Sequence, residues 1–382
     1  MKKPEFRAYR WLSGLIVPVG VAILGGPGLA QQGTPKTGWG DKEVVEPVKA
    51  DVAPDLQALF DRSNKATSVI EFNSIVEGSR TIAKDTTRTV AERDYAKKLL
   101  SWAANRRGEI RTDMAADMVR DGQTAEAQVL DRSATEDFLL AIQYDDTRWR
   151  AHHNLGILRA LSGETEAALQ SFDKTIELQP QFSDAYYNRA EIHVKQSDLR
   201  SAVADYDKAI ELTPEDAGMR IARGRAHVGL RNFENALADF QEAVRIDPES
   251  GEAAGQYADT CQRMARWKEA ALAYQKALQI APNDPRILQN AAWMMATCPD
   301  EYYRNPEAAL KTALRAVDAS EGPVSAHRLH VLSVSQASTG DFASAIASIN
   351  EALQLTSDPV LRQELSQHRA LFQRKKPFVQ PE

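Results

Sequence analysis

At 382 residues the chain is too long for a single compact core, which leaves several domains or a non-globular array. Its 43% hydrophobic and 26% charged residues exclude a disordered, collagen-like or multi-span membrane protein. A formal net charge of −6 argues against a nucleic-acid surface, and two cysteines in all exclude a disulfide framework or a zinc cluster.

The first ten residues carry Lys2, Lys3, Arg7 and Arg10 against a single Glu5. An apolar run from Trp11 to Leu24 follows, then Gly25-Gly26-Pro27-Gly28-Leu29-Ala30. A positive start, an apolar stretch and a small-residue exit predict a secretory signal peptide over residues 1–30, cut after Ala30. The mature protein is then expected to be exported, periplasmic or secreted, with no membrane contact after cleavage. The alternative is an uncleaved inner-membrane anchor through residues 11–30, although Pro18 and the glycine cluster make a poor span. Residues 31–51 hold Gly33, Pro35, Gly38, Gly40 and Pro47 without periodicity and read as a flexible linker.

Residues 52–148 are expected to be helical. Asp55–Lys84 suggests two helices, and about Val90–Asp121 a long one with Leu99, Leu100, Trp102 and Ala103 on its apolar side. Ala134, Phe138 and Ala141 then open a pattern that repeats downstream, making this stretch one degenerate unit of it.

From residue 149 the pattern is regular. Pro180, Pro214, Pro248 and Pro282 stand 34 residues apart, each closing a similar phrase: ALQSFDKTIELQP, AVADYDKAIELTP, ALADFQEAVRIDP and AALAYQKALQIAP. Ala168, Ala202, Ala236 and Ala270 recur in register, followed four residues later by Phe172, Tyr206, Phe240 and Tyr274. Thr175, Ala209, Ala243 and Ala277 come three further on. Upstream, Leu155-Gly156, Arg189-Ala190, Arg223-Gly224 and Tyr257-Ala258 supply the small slot where two helices approach closely. The aromatic is expected to fill the gap between neighbouring helices, and the proline to end the second helix.

This combination resembles the tetratricopeptide repeat (TPR). The resemblance implies an all-α fold: a right-handed TPR solenoid of antiparallel helix pairs with a C-terminal capping helix. It places four regular repeats over residues 149–284, a repeat with an inserted turn over 285–322, a last repeat over 323–359 and the capping helix over 360–376. The stretch NAAWMMATCPDEYYRNPEAAL, with an ending near Lys375-Lys376-Pro377-Phe378, is similar to the close of exported bacterial TPR proteins.

Candidate chemistry is scarce. His193 and His227 hold equivalent positions and are expected to pack between helices, and the adjacent His152 and His153 point about 100° apart on a helix. His327 and His330 are three apart on a predicted helix, with carboxylates nearby only on loops, so no metal ligand is assigned. Cys261 and Cys298 are expected to be small buried hydrophobes, though a disulfide is conceivable in an oxidising compartment. The acidic residues are expected to sit on solvated faces. No nucleophile elbow, phosphate loop or His-Glu-x-x-His motif occurs, so no catalytic residue or cofactor is expected.

In the resembled family the first helix of each repeat lines a concave groove through its second, fifth, sixth, ninth and twelfth positions. The resemblance therefore implies a peptide-binding set of His153, Asn154, Tyr187, Asn188, Glu191, Arg225, Gln256, Asp259, Gln289, Asn290 and Trp293. Tyr187 and Trp293 would be aromatic anchors, and the asparagines backbone clamps. Glu191 and Asp259 dilute positive charge, which favours an internal segment of mixed polarity over a free acidic C-terminus. The expected function is a non-catalytic scaffold for a protein or peptide partner, with a structural spacer or assembly element of the bacterial cell envelope as the alternative.

Overall fold

The structure is a computed structural model that describes residues 53–319 and 322–381. The expected signal peptide and linker lie outside the described residues. The described residues are all-α and fall into two compact units, residues 53–214 and 215–381. The first unit holds α1 (Pro54–Ser63), α2 (Val69–Lys84), α3 (Val90–Arg120), α4 (Thr124–Tyr144), α5 (Trp149–Leu161), α6 (Thr165–Leu178), α7 (Ser183–Lys195) and α8 (Leu199–Leu212). The second holds α9 (Ala217–Gly229), α10 (Phe233–Ile246), α11 (Gly251–Arg263), α12 (Trp267–Ile280), α13 (Pro285–Thr297), α14 (Pro306–Asp318), α15 (Ala326–Ser338), α16 (Phe342–Leu355) and α17 (Pro359–Gln373). Within each unit consecutive helices pair as antiparallel hairpins, α3 with α4 through α15 with α16, and α17 closes the second unit against α16.

Local chemistry sets the helix ends. Side chains of Asp216, Ser250 and Asp284 accept hydrogen bonds from the first-turn N–H groups of α9, α11 and α13, satisfying donors that the helix itself cannot. The long α3 begins with a reciprocal capping box between Thr89 and Glu92. Each of the four regular hairpin turns holds one left-handed residue. Gly163 takes that place at φ 80°, whereas Ser197, Arg231 and Ala265 hold the equivalent place at 63°, 61° and 56°. For a residue with a Cβ that conformation costs roughly 1–2 kcal/mol, so the hairpin packing must outweigh local preference there.

That packing is the fit of an aromatic against a small residue. Phe138, Phe172, Tyr206 and Phe240 on second helices are all but fully buried, as are the alanines four residues before them. A Cβ added at Gly156 would lie 2.8 Å from the Phe172 ring, and one at Gly224 would lie 2.6 Å from Phe240. Gly108 of α3 stands in the same relation to Phe138, at 2.7 Å. Where the slot is Ala190 or Ala258 the aromatic is a tyrosine, and its hydroxyl donates to an acid one residue further on: Tyr206 to Glu191, and Tyr274 to Asp259 at 2.7 Å.

The acidic residues correct the expectation of solvated faces. Asp137, Asp205 and Asp239 are buried, at 2%, 7% and 3% exposure. Arg189 donates Nε and Nη2 to Asp205 at 2.8 and 2.6 Å, and Arg223 does the same to Asp239 at 2.9 and 2.5 Å. Arg107 and Arg111 serve Asp137. A carboxylate can be buried here because a forked guanidinium replaces its water. These clamps stitch the two helices of a hairpin together.

The inserted turn, Cys298 to Asn305, folds back so that the Asn305 N–H donates to the Met295 carbonyl at 2.8 Å; the Asn305 side chain then caps α14. Past α17 the chain reverses at Lys375, φ 57°, and the Gln380 N–H reaches the Thr297 carbonyl at 2.8 Å. Cys261 and Cys298 are both buried free thiols.

Two outcomes follow from this packing. Phe240→Ala should destabilise the second unit by ~3–5 kcal/mol and Gly224→Ala by ~1–3 kcal/mol, since one empties and the other overfills the same contact. Faster amide exchange across α9–α12 would report both, and unchanged exchange would contradict the assigned contact. The second outcome concerns His153, which is buried against Phe172 and edge-on to Phe182, ring centroids 5.6 and 4.8 Å away. Its Nδ1 finds no hydrogen-bond partner among the described residues. Burial, and secondarily Arg150, hold its pKa at about 3 against an ordinary 6.5. The folded ring therefore stays neutral while the unfolded one takes a proton, so stability is full above pH 6.5 and falls as pH drops towards 3. At pH 5 the loss is about 2 kcal/mol, and His153→Phe should remove it, as urea unfolding at neutral pH and at pH 5 would show.

Candidate functional site

The expected site residues lie on the first helices of the hairpins, and the two units carry them separately. In the first unit α5 and α7 lie side by side. His153 is core, as described above. Tyr187 is buried with its ring 5.8 Å from that of Tyr206, Asn188 is buried, and Glu191 is buried as the acceptor of the Tyr206 hydroxyl. Asn154 remains half-buried, its amide 3.4 Å from Asn105 and Glu109 of α3. The fifth, sixth and ninth positions of α7 are thus buried, the ninth because the Tyr206 hydroxyl takes its acceptor there.

In the second unit α9, α11, α13 and α15 follow one another as neighbouring first helices. Arg225 is half-buried and donates to Glu252 at 3.1 Å, joining α9 to α11. Asp259 is a hub: it accepts from Tyr274 at 2.7 Å, Arg286 at 2.8 Å and Asn290 at 3.0 Å, joining α11, α12 and α13. Gln256 is half-buried beside this network, and Gln289 is buried. Trp293 is half-buried, with His330 edge-on at 5.3 Å and Phe378 at 5.7 Å.

The arrangement differs from a row of free polar groups. Tyr187 has no exposed ring face to offer, and Trp293 lies under Phe378, so neither stands as an open anchor. The outward-facing polar groups are Asn154 in the first unit and Arg225, Gln256 and Asn290 in the second, most of them already oriented by a partner. Such fixed groups lose little freedom on binding. A further surface lies between α10, α11 and α12, where Val244, Ala254, Tyr257, Leu272 and Ala273 line an apolar cleft of about 320 Å³, with Leu272 59% exposed.

The chemistry of the remaining groups is quiet. Burial pushes the Cys261 thiol up to about 11 and raises that of Cys298, which keeps both protonated. His193 lies 3.7 Å from Asp205, inside the Arg189 clamp. One cluster went unseen in the sequence: His330 meets His368, thirty-eight residues later, with their nitrogens 2.7 Å apart, and His327 takes no part in that contact. Only the packing of α17 on α15 brings them together. The Arg189–Asp205 and Arg223–Asp239 clamps also went unread, although their common sixteen-residue spacing was a visible signal.

Among curated proteins none matches the chain significantly. Solved structures resemble it at low identity. A tetratricopeptide repeat protein from Parabacteroides merdae gives a TM-score of 0.49 at 17% identity, over 70% of this chain and 98% of its own. The pilF protein of Pseudomonas aeruginosa gives 0.49 at 19% identity, over 58% of this chain and 98% of its own. YrrB, described as a TPR protein with an unusual peptide-binding site, gives 0.38 at 18% identity, over 61% of this chain and 99% of its own. Residues 183–216 and 227–293 match the tetratricopeptide repeat family itself. With those matches falling on helices that repeat every 34 residues, the chain carries tetratricopeptide repeats over residues 183–216 and 227–293.

Proposed function

We propose that the protein is a non-catalytic scaffold that binds a protein or peptide partner across the first-helix face, with Arg225, Gln256 and Asn290 as its main contacts. The observation that carries this reading is their placement on three successive first helices, α9, α11 and α13, with Arg225 held by Glu252 and Asn290 by Asp259. An extended segment lying across those helices would meet a guanidinium and two amides, donors and acceptors suited to a peptide backbone. Glu252 and Asp259 offset the one positive charge, which fits an internal segment better than a free carboxyl terminus. The tetratricopeptide repeats support protein binding in general, since solenoid repeats present extended surfaces. Buried Asp205 and Asp239 are committed to arginines and buried Glu191 to the Tyr206 hydroxyl, and the thiols are protonated, which fits a scaffold better than an enzyme.

The test is crosslinking of the wild-type protein in its native cells, beside an Arg225→Ala/Gln256→Ala variant. A stoichiometric partner held by the wild type should be lost, or held at least about tenfold more weakly, by the variant at unchanged helicity and stability. Equal capture by both would contradict the site. Recovery with bulk envelope polymer and no single partner would favour the spacer reading.

We also propose that this scaffold acts outside the cytoplasm. The reading rests on the charged start, apolar run and small-residue exit of residues 1–30. Among the described residues no helix is long and apolar enough to cross a membrane. Intact-mass measurement of the exported product should give an N-terminus at Gln31. A full-length, membrane-retained product would instead support the anchor.

A further inference from the structure

The end of the second unit holds a donor set that the repeat pattern does not require. His330 on α15 and His368 on α17 are both buried, and their Nε2 and Nδ1 atoms face each other at 2.7 Å. Glu364 lies four residues before His368, on the same face of α17, and is partly exposed. One donor atom from each of the three lies within 4.8 Å of the other two. Aromatic rings enclose the histidines: Trp293 is 5.3 Å from His330, Phe378 is 4.1 Å from His368 and Phe372 is 6.4 Å from His368. The carboxylate stands on the side that solvent reaches.

We propose that His330, His368 and Glu364 form a binding site for a divalent ion of the zinc class, with solvent in the remaining position. Two imidazole nitrogens and one carboxylate oxygen are the three-ligand set that leaves zinc an open fourth place. Imidazole donors favour zinc, cobalt or nickel over magnesium or calcium.

The geometry needs a small adjustment. Zinc–nitrogen bonds of about 2.0–2.1 Å in a tetrahedron put two nitrogens roughly 3.4 Å apart, so the rings must part by a little over half an ångström. At present one of the facing nitrogens carries the proton of their hydrogen bond. On metal binding that ring adopts its other tautomer, moving the proton to its second nitrogen, so the pair releases none. The aquo ion gives up waters as two nitrogens and one oxygen take their places. A metal held this way would tie α17 to the last hairpin, stabilising the end of the array by linkage.

The test uses the untagged full chain, dialysed against chelator and titrated with Co²⁺. One equivalent should give the visible bands of four-coordinate cobalt, displaced by one equivalent of Zn²⁺, with slower amide exchange confined to α15 and α17. Glu364→Gln, at the exposed edge, should weaken binding at least about tenfold with the fold intact, and His368→Ala should abolish it. His152, His153, His193, His227 and His327 remain in both variants, so adventitious binding would survive these changes. The absence of a stoichiometric site in the wild type, equal binding of Mg²⁺, or binding that persists in His368→Ala would each overturn the proposal.

Discussion

Everything in each unit depends on how closely a second helix can approach the first of its pair. An aromatic ring on one helix needs a residue with almost no side chain on the other, and the requirement is met without exception in the regular hairpins. Gly156 meets Phe172 and Gly224 meets Phe240, while Ala190 and Ala258 occupy the slot beside Tyr206 and Tyr274. Close-packed interiors tolerate neither a missing nor an added methyl at such a point, so the contact fixes rotation as well as distance. Rotation in turn decides which side chains of the first helix remain outside.

A single oxygen atom changes that decision. In the tyrosine hairpins the ring carries a hydroxyl into the interior, where it needs an acceptor, and Glu191 or Asp259 turns inward to supply one. In the phenylalanine hairpins no acceptor is needed, and the equivalent position is Ile157 or the half-exposed Arg225. The polar face is therefore not a uniform row. Its outward members stand where the neighbouring aromatic makes no polar demand, or where a hub such as Asp259 holds an amide in place. The arginine–aspartate clamps work alongside this by spanning the same hairpins with paired charge.

The strictly periodic part of the fold was legible in the sequence because each of its contacts recurs every 34 residues. Proline, alanine, aromatic and small slot all answer local questions of helix ending and helix approach. Position alone does not reveal that the Tyr187 ring packs on Tyr206. The clamps were legible in principle, since Arg189–Asp205 and Arg223–Asp239 share one spacing, but charge composition alone reads as solvated surface. His330 and His368 were out of reach: they lie on different helices, outside the regular repeats, with no spacing rule to join them.

That last contact shows where a repeat architecture has freedom to add chemistry. Within each unit a hairpin face is claimed by the next hairpin, and the pattern dictates small and aromatic residues. After α16 the described residues add the single helix α17 in place of a hairpin. α17 buries Leu361, Leu365 and Phe372, and the chain then returns to set Phe378 over His368 and the Gln380 N–H on the Thr297 carbonyl. A cap needs apolar area but not the repeat's particular residues, so polar donors can be accommodated if they satisfy one another. His330 and His368 do so through their shared hydrogen bond, and the surrounding rings keep them neutral. The same enclosure that lets the pair sit in an apolar end leaves two lone-pair-bearing rings beside a carboxylate, a chemistry the periodic part of the fold has no place for.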